Sequence, residues 1–406
     1  MPSVIFVAPF LMPATQDFVA ATAELPGVRL GLITQQPAEH LSQELKARLE
    51  AHWRVDNALD PGQLVAAVRQ LERQLGPIHR LMGALEQLQE PLAEARQVLG
   101  IEGMNLDTAR NFRQKARMKT VLRAAGLPCA RHRLAETPAE ALDFARQVGY
   151  PLVLKPPAGA GAQGTFRVDS DAELAQGLEF LRPAAGAPLL LEEFIVGQEF
   201  SFETISIRGE PVWSSMTHYH PTPLEVLQNP WIQWCVLLPR EIHAPPWEDI
   251  APVGFPALKA LGLQTGLTHM EWFRRRDGSV AISEVAARPP GAQITSLVSW
   301  AHEVNFKRVW AHVMVYDELQ LPPRKFATGA AFLRGQGRGK VRAVWGLDQA
   351  QQELGPLVVE AKLPQVGQAQ ASSYEGEGYV ILRHEDTEVV SRALRRLVTL
   401  VRVELG

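Results

Sequence analysis

Residues 268–285 read THMEWFRRRDGSVAISEV. Two runs with alternating apolar positions flank Asp277-Gly278, the strongest short signal for a β-hairpin turn. With those two residues as the turn, Arg276 faces Ser279, Phe273 faces Ile282 and Glu271 faces Glu284. Like charges directly opposite one another destabilise a strand pair. In half-apolar strands the acidic pair makes sense around a cation. Hard divalent ions that bridge nucleotide phosphates are held by one or two carboxylates. An exposed acidic pair, or a three-residue turn that shifts the register, is the other reading. The repulsion also predicts that Glu284→Gln raises the stability of the metal-free protein.

Upstream, residues 151–155 read as a strand ending in Lys155. Gly159-Ala160-Gly161-Ala162-Gln163-Gly164 follows, then a strand at 165–168. The glycines match G-x-G-x-x-G, but that fingerprint requires a helix after them. A strand follows here, so the segment is a hairpin loop and dinucleotide binding through it is disfavoured. Small residues and backbone N–H groups beside a lysine suit a polyphosphate; a plain surface hairpin is the alternative. Residues 189–194 read as an apolar strand that closes on Glu192 and Glu193, followed by Ile195, and Glu199 comes seven residues after Glu192. Solvated strand-end charges are the bland reading of those acids. Lys115 lies on a helix expected over 111–125 and shares a face with Met118 and Leu122, so it points inward or snorkels.

Further out, the pattern is mixed. Residues 4–8 and 28–34 read as strands, 16–25, 37–52 and 63–75 as helices, 79–85 as a strand and 91–99 as a helix. Strands alternating with helices imply parallel pairing and an α/β layer architecture. Thr137-Pro138-Ala139-Glu140 is a capping box with Pro at the first helical position. Ser170 with Glu173 caps another helix. Residues 217–250, rich in His, Pro and Trp, read as irregular, 253–262 as a helix, and another helix starts near Ile294. After Pro322-Pro323 come short β segments and a terminal helix over 387–400.

At ~150 residues per domain, 406 residues make two to three domains. Hydrophobic residues at 46% support a large core, which excludes a disordered chain or a coiled coil. Lys+Arg 41 against Asp+Glu 44 leaves −3, no field for nucleic acid or an anionic membrane. No apolar run reaches the ~18–20 residues of a membrane span. The first basic residue is Arg29, so the apolar start reads as a buried strand and no signal peptide is expected. Cys129 and Cys235 offer neither a disulfide framework nor zinc spacing, and a cytoplasmic location is expected.

Taken in order, the inward Lys, the Lys with its glycine hairpin, the acid-tipped strand, two facing acids and Arg288 resemble the ATP-grasp superfamily, specifically its carboxylate–amine ligase branch. The resemblance implies an ATP-grasp fold, α/β and α+β. Residues 1–108 would form a Rossmann-like preceding domain. Residues 109–322 would form the grasp domain, with a lid subdomain over about 127–192. Residues 323–406 would form a small β-rich domain similar to that of L-amino acid ligases and biotin carboxylases. It implies that Lys115 and Lys155 bind ATP phosphates under Gly159, Gly161 and Gly164. Glu192 would accept from the adenine amine, and Glu193, Phe194 and Ile195 would form the adenine hinge. Glu199 would hold the ribose, and Glu271 and Glu284 would bind one or two Mg²⁺ ions, with Mn²⁺ as an alternative. Arg288 and Lys155 would be catalytic. Ala286 stands where the family pattern Glu-x-Asn-x-Arg has Asn, which removes one ligand of the second metal. His218, Trp234 and His269 are candidates for the substrate pocket.

The implied activity joins a carboxylate to an amine through an acyl phosphate, and a homodimer is the family's habit. A biotin carboxylase-like or purine-pathway carboxylation is a second enzymatic reading. A nucleotide-binding regulatory protein, favoured by Ala286, is a third.

Overall fold

The computed structural model describes residues 1–157, 164–229, 231–245 and 247–406. Its N-terminal unit is a parallel sheet in the order Ala51–Arg54, Arg29–Thr34, Ser3–Val7, Ile78–Met82. Helix Pro61–Leu75 packs closely on it. Gly31 makes room, because a Cβ there would meet Leu75 Cδ1 at 2.7 Å. The helix expected over 37–52 is a correction: only Ala38–His40 and Gln43–Arg48 are helical, and Ala51–Arg54 is an edge strand. Glu50 N donates to Leu30 O and Val55 N to Thr34 O, so the sheet's open edge captured this backbone.

A second, antiparallel sheet runs His132–Ala135, Leu189–Glu193, Leu152–Lys155, Phe166–Val168. Helices Pro138–Val148 and Asp171–Leu181 cover it. Both expected N-caps form: Thr137 accepts from Glu140 N with the reciprocal bond of a capping box, and Ser170 accepts from Glu173 N. Leu152, Leu154, Leu189, Leu191 and Phe144 share the core between them.

The largest sheet has eight strands. They run in the order Val280–Ala286, Gly266–Arg275, Gly197–Ile207, Glu210–His220, Trp234–Leu238, Ala327–Leu333, Gly378–His384, Val358–Lys362. The tail's strands therefore extend the central sheet. The stretch 217–250 is more regular than its composition suggests. Strand Glu210–His220 runs into it, helix Pro223–Gln228 starts with Pro in its first turn behind the Thr222 cap, and Trp234–Leu238 is a fully buried strand. The prolines there punctuate elements; they do not abolish them. The helix expected over 111–125 is two, Leu106–Arg113 and Lys115–Ala124, separated by an extended Gln114. Among the described residues no helix is long and apolar enough to cross a membrane.

Candidate active site

Strand periodicity builds the floor of the site. Gly197–Ile207 and Gly266–Arg275 pair so that Glu199 faces Phe273, Ser201 faces Glu271 and Glu203 faces His269. Successive side chains alternate faces, so these residues share one face, and Phe200, Phe202, Met270 and Trp272 pack into a core on the other. Glu203 is fully buried and its Oε1 lies 2.8 Å from His269 Nδ1. His269 Nε2 lies 3.7 Å from Glu271 Oε1. Burial opposes charging this imidazole, but the bonds to Glu203 and Glu271 outweigh it and raise it to about 9. Burial, reinforced by the Glu271 charge, pushes Glu199 well above the usual carboxylate range.

Glu271 does pair with Glu284, but by a different route from the one the spacing suggests. The turn holds three residues, Arg276, Asp277 and Gly278, closed by Arg275 N donating to Ser279 O, with Gly278 at φ 82°. Phe273 consequently pairs with Ala281, not Ile282. A bulge then falls between Glu271 and Trp272, and the extra residue is Ser283. It restores the acidic pair. Ile282 N turns outward to Pro128 O, and Ser283 O accepts from Lys119 Nζ at 2.5 Å. Bulges concentrate at sheet edges and beside functional sites, and this is the edge strand.

Glu284 is not left facing bare repulsion. Its Oε1 is paired with Lys115 Nζ. Burial opposes ionisation, but Lys115 and Lys155 outweigh it and hold Glu284 down at about 2. The expectation that Glu284→Gln relieves strain is therefore corrected: this carboxylate is the partner of a buried ammonium. Lys155 Nζ lies 2.8 Å from Glu192 Oε2, and Lys119 Nζ lies 3.3 Å from Glu192 Oε1. Lys119, 1% exposed, was missed by the sequence reading. Its signal is present, since 115, 118, 119 and 122 all fall on one helical stripe.

Most of these groups, with Lys119 and Glu203 behind them, line one cavity of about 390 Å³. It gathers Lys115, Lys155, Glu192, Glu193, Phe194, Ile195, Glu199, and from the other side Glu271, Glu284 and Arg288. Arg167 lies over the Phe194 ring at 4.5 Å. Arg288 is fixed by Glu86 Oε2 at 3.0 Å and by Pro289 O at 2.9 Å, and Glu86 also meets Arg113 at 3.1 Å. Of the substrate candidates, His269 and Trp234 border the cavity. Trp234 donates to Pro221 O and meets Tyr374, a tail residue the sequence reading did not single out, edge-on at 4.9 Å. His218 is a correction: it lies on the opposite face, stacked on Phe200 at 4.3 Å, because Thr217 and Tyr219 take the cavity face of the alternating strand. Gly159 and Gly161 lie outside the described residues. Gly164, at φ 68°, does not border the cavity, whereas Pro156 and Thr165 beside it do. Among the described residues no group of three or more His, Cys, Asp or Glu forms a ready metal cage. Two facing carboxylates supply hard oxygen donors, which suit a Mg²⁺ ion that draws its other ligands from phosphate and water.

Residues 120–298 match the model of the ATP-grasp domain. The chain carries an ATP-grasp domain. An uncharacterised protein of Sinorhizobium fredii is 28% identical over 278 residues, 67% of this chain and 54% of its own length. The chain thus spans about half of that relative. An L-arginine-specific L-amino acid ligase of Bacillus subtilis is 22% identical over 82% of this chain and 83% of its own. The crystal structure of an L-amino acid ligase from Bacillus licheniformis superimposes with a TM-score of 0.79 at 20% identity. It covers 100% of this chain and 99% of that one, a likeness of fold. The ATP-grasp match falls on the residues that build the cavity from Lys155 to Arg288.

Proposed function

We propose that this protein is an ATP-dependent ligase that activates a carboxylate as an acyl phosphate and couples it to an amine, with amino-acid-like substrates. One observation carries the reading: a single cavity joins Lys115, Lys155 and Arg288 to the facing acids Glu271 and Glu284, beside residues 193–195. In this reading 1–108 precedes the grasp domain of 109–322, with its lid over about 127–192. Residues 323–406 complete the central sheet and lend Tyr374 to the cavity.

A carboxylate does not react with an amine at neutral pH because its oxygen is a poor leaving group. Attack of that oxygen on the γ-phosphorus forms one P–O bond and breaks the bond to the β-phosphate oxygen, releasing ADP. The amine nitrogen then forms the C–N bond as the acyl C–O bond breaks, releasing phosphate and a proton. Catalysis of phosphoryl transfer is mainly positioning and charge. Lys115 and Lys155 supply that charge at the phosphates. Glu192, between Lys119 and Lys155, positions the lysines beside its expected contact with the adenine amine. Arg288, braced by Glu86, presents its guanidinium to the transferring group. Glu199, whose carboxyl is pushed up by burial and the Glu271 charge, faces the ribose hydroxyls. Residues 193–195 hold the adenine end. Glu271 and Glu284 would hold Mg²⁺ or Mn²⁺, which supplies charge neutralisation at the terminal phosphates when bound. Trp234 and Tyr374 wall the substrate end.

The test is ADP release across a panel of carboxylates crossed with amines. The reading expects release that needs both partners of at least one pair. ATP binding with no turnover for any pair would support a regulatory nucleotide-binding protein instead.

A further inference from the structure

A second cavity of about 300 Å³ lies between the N-terminal sheet unit and the central sheet. Residues 81–83 and Arg96 border it on one side, residues 263–267 and 287–289 on the other, and Trp310 and Met314 close it. Arg288 borders both cavities.

The charges around this space do not balance. Arg80 is paired with Glu102 at 3.0 Å and Asp317 at 3.1 Å, and Arg288 with Glu86. Arg96 is only 7% exposed and has no carboxylate partner among the described residues. Its Nη1 donates to Leu81 O at 2.9 Å and its Nη2 to Met104 O at 3.0 Å, and both of those residues also line the cavity. Its Nε is buried and without a partner. The last turn of helix Gln89–Leu99 offsets part of the charge. Two neutral carbonyls and a helix end do not replace the hydration of a guanidinium, and burying an uncompensated charge is costly. Desolvation pulls Arg96 down to about 10. The rest of the wall includes the apolar side chains of Leu92, Met104, Leu267 and Trp310.

We propose that this cavity is a binding site for a small organic monocarboxylate of amino-acid size, its carboxylate against Arg96 and its apolar part against Leu92, Met104 and Trp310. Arg208 also borders the cavity but is exposed to solvent, so the buried Arg96 is the cation whose desolvated charge a single carboxylate would offset. The planar guanidinium fork suits a carboxylate. The volume, at the small end of ligand pockets, suits a compact acid. The proposal does not depend on the ligase reading, because it concerns binding without nucleotide.

The experiment titrates the full, nucleotide-free chain by calorimetry with 3-methylbutanoate, with 3-methylbutanamide, which lacks the charge, and with inorganic phosphate. Wild type is expected to bind the carboxylate and neither of the others. Arg96→Gln should weaken that binding at least about tenfold, the loss of one charge-assisted contact. Thr265→Trp, which fills the cavity without touching the bonds of Arg96, should weaken it as much and so serves if Arg96→Gln fails to fold. ATP affinity, measured separately, should be unchanged in both variants. No carboxylate binding in wild type, tighter phosphate binding, or undiminished carboxylate binding in Thr265→Trp would overturn the proposal. None of these outcomes bears on ADP release by the main cavity.

Discussion

The two faces of the central sheet use the same strands for opposite ends. On one face the buried Glu199, Glu203 and His269 and the half-buried Glu271 form a polar cluster. One residue along, Phe200, Phe202, Met270 and Trp272 form a core, with the Phe200 and Trp272 rings stacked at 4.6 Å. Two histidines on these strands feel the difference. Burial lowers His218, on the aromatic face, to about 3, helped by His220 and Arg274. His269 is also buried, yet its two carboxylate neighbours raise it to about 9. Burial alone therefore does not set the charge state; what a side chain is buried against does.

The sharpest break of this comparison uses adjacent residues. Trp272→Ala should cost about 3–5 kcal/mol of stability, as large aromatic truncations do, and leave turnover per folded molecule within a few-fold. Glu271→Gln should do the reverse, with turnover falling at least about a hundredfold in a folded chain. Denaturant titration and kinetics on both variants check this, and matching phenotypes would erase the distinction between the faces.

Within the polar face, two acids should respond with opposite signs when no metal is present. Glu284→Gln removes the carboxylate charge paired with the buried Lys115 and should destabilise by roughly 3 kcal/mol. Glu199→Gln removes an acid that burial and Glu271 already force toward its neutral form, so it should stabilise above pH 7. A folded-state pKa above the unfolded one contributes stability below the unfolded value and loses it as pH rises. Melting curves of the two variants at pH 8 decide, and shifts of the same sign would refute the pairing.

Lys155→Ala should weaken ATP binding by about 1.5–3 kcal/mol, one charge-assisted contact. Unchanged affinity by calorimetry would remove Lys155 from the phosphate site. On the aromatic face, His218→Phe keeps a ring beside Phe200 and removes a titrating group. A folded-state pKa depressed to about 3 contributes stability above pH 6.5 and loses it as pH falls. The wild-type loss between pH 7.5 and pH 5 should therefore exceed that of the variant by about 2 kcal/mol, with turnover unchanged. Equal losses would mean His218 does not titrate with folding.

Much of this was legible in the chain. The acidic pair, the strand ending in Lys155, the caps at Thr137 and Ser170 and the α/β start follow from local rules of turn, alternation and capping. The acidic register was legible for a partly mistaken reason. A three-residue turn and the Ser283 bulge are each invisible in the sequence, and they cancel. What stayed illegible is set by partners distant in the chain. Residues 51–54 become a strand because the edge at 29–34 is open. His218 leaves the site because strand parity places its neighbour Tyr219 there. The tail joins the central sheet through Ala327–Leu333, which pairs with a strand inside a stretch that composition marks as irregular. Lys119 shows a limit of another kind. An inward lysine reads as a helix-face anomaly until the buried carboxylate it meets, Glu192, is found 73 positions away in sequence, at 3.3 Å.

The central claim is that the cation cluster and the facing acids act on the terminal phosphate. The most direct test supplies a carboxylate substrate labelled with ¹⁸O in both oxygens and follows the label through one turnover. The account predicts one ¹⁸O in inorganic phosphate for each amide formed, with ADP as the nucleotide product. Label appearing in AMP, with pyrophosphate released, would contradict it.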